Sequence, residues 1–326
     1  MTRTLRQFFP AAILATFSTL VAAEQPLTAS ELLERMSSAM NQMSYQGTFV
    51  YMRGNSVETM RITHIVDENG VRERLYSIDG PQREIIRDKD GVRCVLADGQ
   101  TVAEDPLVAG PIYPEIPLAD AHGADSPYSL SVGGKARMAG HLARRVSIRP
   151  EDGFRYGYEL WLEDSTGLLL KWVLLNARRE TLARLMFTEL RLGDDIREDE
   201  LHSSTPAELF QRVDSRTPEG ASDHAEPQWQ PARLPPGFRL TSYNRGKSKG
   251  QGVFEHLVYS DGLASVSVYI EDQHEDASAA HGLNRIGTAS AFSKHVGAKH
   301  VTVIGEVPVI TVKFIGESVR QLRLAD

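Results

Sequence analysis

The residues of this chain that could do chemistry fall into four groups, each with requirements that can be checked along the sequence. Gly246-Lys247-Ser248 ends as a phosphate-binding loop ends, with backbone N–H groups and a lysine to cradle phosphates. That loop needs a glycine five residues earlier, where Thr241 stands, and neither flank has the strand and helix it requires. Histidines at 256, 274, 281, 295 and 300 crowd the C-terminal third, but their spacing matches no common zinc pattern, and His274-Glu275-Asp276 reads as a solvated loop. Asp194-Asp195 and Glu198-Asp199-Glu200 have the carboxylate density of acid–base chemistry in surroundings that suit a solvated charge run. Cys94 lies in the alternating stretch Val92 to Leu96 and reads as a buried, inert thiol; as the lone cysteine it can form no intramolecular disulfide. Neither G-x-S-x-G nor H-E-x-x-H occurs. No catalytic residue, metal ligand or cofactor is expected, which leaves binding surfaces as the chemistry of this chain.

The elements that must position such surfaces begin with an export signal. Arg3 and Arg6, an uncharged apolar run from Phe8 to Leu20, and Val21-Ala22-Ala23 before Glu24 are its positive, apolar and small-residue parts, so residues 1–23 are expected to be cleaved. The run is too short to cross about 30 Å of hydrocarbon comfortably, and no later stretch is apolar enough to do so. A composition of 41% hydrophobic and 24% charged residues excludes disorder throughout. Without the signal, the chain before Pro231 carries a formal charge of −11 and the remainder +2. That split excludes nucleic acid as a partner of the whole chain and leaves a mildly basic C-terminal module able to meet an acidic one.

After Thr28 or Ser30 as a cap, Leu32, Leu33, Met36, Met40 and Met43 recur at helical spacing. Alternation then marks strands: Tyr45, Gly47, Phe49 and Tyr51 on one face; Met60, Ile62 and His64; Leu75 with Ile78; and the strand holding Cys94. Prolines at 111, 114, 117 and 127 interrupt regular structure, with room for further helices. Strands resume from Lys135 to Ile148, Tyr156 to Glu163, Leu168 to Asn176 and Thr181 to Leu192, joined late by hairpins. A proline-rich linker follows, which Leu209, Phe210, Val213 and Trp229 can pin. Beyond it come strands at Phe238 to Tyr243, Phe254 to Tyr259, Ala264 to Glu271 and Val301 to Ile304. Arg285 to Val296 suits strand or short helix, and a terminal helix is expected from Pro308 through Leu322.

The fold expected is α+β: a curved antiparallel sheet around a helix, then a smaller sheet domain with a helix. Phe49, Tyr51, Met60, Ile62, Leu160, Leu162, Trp172, Leu174 and Phe187 face inward. Spacing allows them to close a core or to line a cavity, and favours the core; a cavity would suit an acyl chain, each buried methylene contributing about 0.8 kcal/mol.

Several blocks resemble the MucB/RseB family of periplasmic sigma-E regulators: Asp79 to Glu84, Arg155 to Trp161, Leu257 to Val268 and Val301 to Pro308, in order along nearly the whole mature chain. The resemblance implies a LolA/LolB-like unclosed β-barrel with helices over residues 24–201 that senses lipid, a linker at 202–231, and an anti-sigma-factor-binding domain at 232–326. It shifts the nine inward residues toward a lipid-sized groove. It further implies a periplasmic protein that shields a MucA/RseA-type anti-sigma factor from site-1 proteolysis and is released by lipopolysaccharide or the acyl chains of mislocalised lipoprotein. A lipoprotein or lipid carrier is the alternative, and a homo-oligomer is compatible with either. Tyr259, Asp261 and Tyr269 are the partner surface this points to, although Ser260-Asp261-Gly262 reads equally as a plain turn. Arg239, Arg245, Lys247 and Lys249 can meet lipid phosphates or acidic partner residues, or simply solvate a loop.

Overall fold

The computed structural model describes residues 27–80, 82–96, 126–193, 195–203, 211–213, 226–248, 252–272 and 281–322. The expected signal peptide, most of the proline-rich stretch, much of the linker and Lys249 lie outside the described residues. Helix α1 (Ala29–Gln42) starts at a reciprocal cap: the Glu31 N–H donates to Thr28 Oγ1, and Glu31 Oε2 accepts from the Thr28 N–H at 2.7 Å. Thr28, not Ser30, is therefore the cap. Leu32, Leu33, Met36 and Met40 are buried along one stripe, while Met43 is the C-cap and half-buried.

Strands β1 (Tyr45–Arg53), β2 (Ser56–Asp67), β3 (Gly70–Ser77), β4 (Arg83–Asp88) and β5 (Gly91–Leu96) form one meander. A second comprises β6 (Tyr128–Met138), β7 (His141–Pro150), β8 (Gly157–Glu163), β9 (Leu169–Leu175) and β10 (Thr181–Leu192). The meanders join where β1 pairs antiparallel with β10, Phe49 opposite Phe187. With β11 (Gln211–Val213) on the outer edge of β5, this gives an eleven-stranded antiparallel sheet whose edges, β11 and β6, do not pair, so the sheet is curved but unclosed. The expected Lys135 to Ile148 element is two strands turning at Ala139-Gly140. Ile78 does not share a face with Leu75: three residues apart on a strand are on opposite faces, and Ile78 lies past the end of β3, 52% exposed. Cys94 is buried.

The smaller domain holds β12 (Trp229–Pro231), β13 (Arg239–Ser248), β14 (Gly252–Ser260), β15 (Ser265–Asp272), β16 (Gly282–Ile286), β17 (Ala289–Val296), β18 (Lys299–Gly305), helix α2 (Val309–Ser318) and β19 (Val319–Gln321). Six strands form one antiparallel sheet in the order β13-β14-β15-β18-β17-β16. The ambiguous 285–296 stretch thus falls in two strands, because pairing of β17 with β18 and of β16 with β17 overrides weak local preference. The terminal helix stops at Ser318, short of Leu322, because Val319–Gln321 pairs with Trp229–Pro231 and the Arg233 N–H donates to Ser318 Oγ at 3.2 Å. Trp229, 4% exposed, is a core residue of this domain and not free linker.

Candidate functional site

The nine inward-facing residues come from β1, β2, β8, β9 and β10 and form one continuous core with the α1 stripe. Phe49, Met60, Ile62, Leu160, Leu162, Leu174 and Phe187 are 0–2% exposed, and Tyr51 and Trp172 are 8%. Helix α1 therefore occupies the concave side, with Leu33, Met36 and Met40 completely buried against it. Phe49 and Phe187 pack edge to face at 5.6 Å. The two less buried members do the same at 6.0 Å, and Trp172 also meets Tyr158 at 6.5 Å. Burial raises the Tyr158 phenol, and the charges of Glu306 and Asp261 raise it further, which places this aromatic run beside the smaller domain.

Where the domains meet, Arg155, in the loop from β7 to β8, is inserted without side-chain exposure. Its Nε lies 3.2 Å from Asp261 Oδ2 and 3.5 Å from Asp152 Oδ1, and Nη2 donates to the Pro236 carbonyl at 2.6 Å. Nε and Nη1 make no hydrogen bond among the described residues, so the attraction to Asp261 is charge at close range without aligned donors. The faces of Tyr128 and Phe238 lie 5.4 and 5.2 Å from the guanidinium carbon. Tyr128 Oη donates to Asp261 Oδ2 at 3.0 Å; burial first, then the Asp261 charge, pushes this phenol far up, so it stays a donor. Asp261 Oδ1 accepts from the Leu263 and Ala264 N–H groups at 2.9 and 2.7 Å, which holds the Ser260-Asp261-Gly262 turn. Beside this latch, Thr311 of α2 donates to the Phe154 carbonyl at 2.6 Å, and Phe154 packs on Phe314 at 5.1 Å.

Residues 28–205 match the model of the MucB/RseB N-terminal domain, and residues 223–320 that of the MucB/RseB C-terminal domain. The chain belongs to the MucB/RseB family. Among its curated MucB/RseB relatives, the sigma factor AlgU regulatory protein MucB of Pseudomonas aeruginosa is 35% identical over 306 residues, 92% of this chain and 93% of that protein. The sigma-E factor regulatory protein RseB of Escherichia coli K12 is 25% identical over 327 residues, 97% and 98% of the two chains. The crystal structure of MucB in complex with MucA(peri) superposes with a TM-score of 0.71 at 33% identity, covering 91% of this chain and 100% of that one. The family is one of sigma factor regulators.

In this MucB/RseB chain the residues expected to face a partner divide. Tyr259 is 4% exposed in the small core, where burial pushes its phenol up to about 12, and Asp261 is committed to Arg155 and Tyr128. Of the residues expected at the partner surface, these two have buried side chains, Tyr259 in the small core and Asp261 between the domains. Tyr269 lies half-buried on the open face of the sheet, stacked on His256 at 4.2 Å. Arg239 is exposed; Arg245 lies 3.9 Å from Glu255 and donates to Gln228; the Lys247 backbone is part of β13, so the triplet 246–248 is strand and not phosphate loop. Arg155 was legible only as part of a family block. A cation opening an apolar strand was the one local sign of a buried role.

Proposed function

We propose that this protein works in the periplasm, where it grips the periplasmic segment of a membrane-spanning anti-sigma factor, shields it from site-1 proteolysis, and so keeps the envelope stress response silent until lipopolysaccharide or lipoprotein acyl chains favour release. The observation that carries this reading is the likeness, through both domains, to MucB solved with the periplasmic part of MucA. The geometry supports a route for release. An acyl chain entering the concave side would replace the α1 stripe, apolar for apolar, each methylene contributing about 0.8 kcal/mol. The Tyr51, Trp172 and Tyr158 rings lead from there to the interface that Arg155 and Asp261 close. A ligand shifts the balance only by its preference between the two states, and a tenfold preference supplies about 1.4 kcal/mol.

The test is a protection assay. The exported chain is mixed with the anti-sigma periplasmic segment and site-1 protease, with and without lipopolysaccharide or an acylated peptide. Protection that either lipid reverses is expected. A protein that leaves cleavage untouched and instead hands lipid to an acceptor is a carrier, and the regulatory reading then fails.

A further inference from the structure

Strand pairing gathers the histidines of the smaller domain. His295 of β17 stands directly opposite His300 of β18, and Gly282, the first residue of β16, pairs with Ser293, which brings the preceding His281 to the same corner. The His281 and His295 rings are 4.2 Å apart, those of His295 and His300 5.1 Å, and those of His281 and His300 6.5 Å. Lys294 points the opposite way and donates to the Glu317 and Val319 carbonyls at the end of α2, so the imidazoles lie on the face away from that helix. Glu271 of β15 faces His300 from the other side, and Lys299 is paired with Asp272 at 2.8 Å. His300 Nε2 is buried without a hydrogen-bond partner among the described residues.

We propose that His281, His295 and His300 together bind one divalent transition-metal ion, with the Glu271 carboxylate beside them. Three imidazoles and a carboxylate suit Zn²⁺ and its neighbours in the series, not Ca²⁺ or Mg²⁺, which take all-oxygen sites. The rings now pack edge to face, and as they stand no group of three or more His, Cys, Asp or Glu side chains among the described residues is placed to hold a metal ion. Directly opposed strand positions hold Cβ atoms about 4.5–5.5 Å apart. Rotation of the exposed His281 and half-buried His295 between staggered rotamers is the movement required. A bound ion would staple edge strand β16 to the β17–β18 hairpin, on the face that also presents Tyr269.

The experiment titrates the untagged exported chain with ZnCl₂ by calorimetry and with CoCl₂ by visible absorption at neutral pH. One equivalent of Zn²⁺, at least tenfold weaker binding in His281→Ala and in His295→Ala, and nitrogen-ligated Co²⁺ bands that both substitutions abolish are expected. His281 is exposed, so its substitution leaves folding intact even where His300→Gln does not. Absence of stoichiometric uptake, or an affinity unchanged in both alanine variants, overturns the proposal.

Discussion

Replacing Asp261 by asparagine isolates the work of one buried charge at the domain interface. The amide keeps the oxygen that accepts from the Leu263 and Ala264 N–H groups, and places an NH₂ where Oδ2 now faces Arg155 at 3.2 Å and Tyr128 at 3.0 Å. The unexposed guanidinium then keeps Asp152, at 3.5 Å, and the Pro236 carbonyl as compensation. Removing one partner of a fully buried pair costs about 3–5 kcal/mol, and Asp152 argues for the lower end. The penalty lasts only while the domains are docked, since undocking returns Arg155 to water; the loss therefore falls on docking and not on the folding of either domain. About 3 kcal/mol is roughly a hundredfold shift toward the open form. Dyes on Val71→Cys and Lys313→Cys, both exposed while Cys94 is buried, read the open fraction by energy transfer. In an Arg155→Met background the same Asp261→Asn change should cost under about 1 kcal/mol, because no charge is left unpaired. An Asp261→Asn protein as closed as wild type, or an equal cost in both backgrounds, would refute the assignment of Arg155 and Asp261 as a coupled latch.

Gly47→Ala should lower the melting temperature of the large domain, since a Cβ there would stand 2.6 Å from the Glu189 carbonyl oxygen and 2.8 Å from the Phe187 ring; overpacking costs about 1–3 kcal/mol, and an unchanged calorimetric midpoint would contradict it. Thr28→Ala removes the cap of α1 and should cost about 1 kcal/mol, read as faster amide exchange in the first turn of that helix. Burial raises the Glu73 carboxyl, but the hydrogen bond from His64 and the charge of Arg87 more than offset this and hold it below its ordinary value. A depressed carboxylate contributes stability above its unfolded pKa, about 4.3, and loses it as pH falls through the folded value; urea midpoints of Glu73→Gln should therefore fall less steeply in acid than those of wild type. Tyr269→Ala, which removes the ring stacked on His256, should weaken capture of the anti-sigma segment by at least 1 kcal/mol, about fivefold, in a calorimetric titration.

Much of the large sheet was legible because its strands have one dry face: Leu160 and Leu162 alternate with Glu159 and Trp161, and the alternation survives into the register with β7 and β9. The capping signal Thr28-x-x-Glu31 likewise needs no tertiary information. Local pattern fails where distant pairing decides. Nothing near Val319 says that Pro231 will draw it out of the helix, and the Ala and Ser residues of β17 become a strand only because β18 lies alongside. Periodicity assigns the nine apolar residues to the inner face but is silent on what fills it, which is the α1 stripe. Asp261 looks like a turn residue because its local bonds are those of a turn; Tyr128, which donates to its other oxygen, is 133 residues away.

The two ends of the connecting segment are fastened, Gln211–Val213 to β5 and Trp229–Pro231 to β19. However the domains move, the covalent span between these two fastenings cannot exceed roughly 55 Å. Halves held on so short a leash meet at effective concentrations on the order of millimolar. Closure between two halves of one chain is then a first-order event, indifferent to how many copies a cell contains.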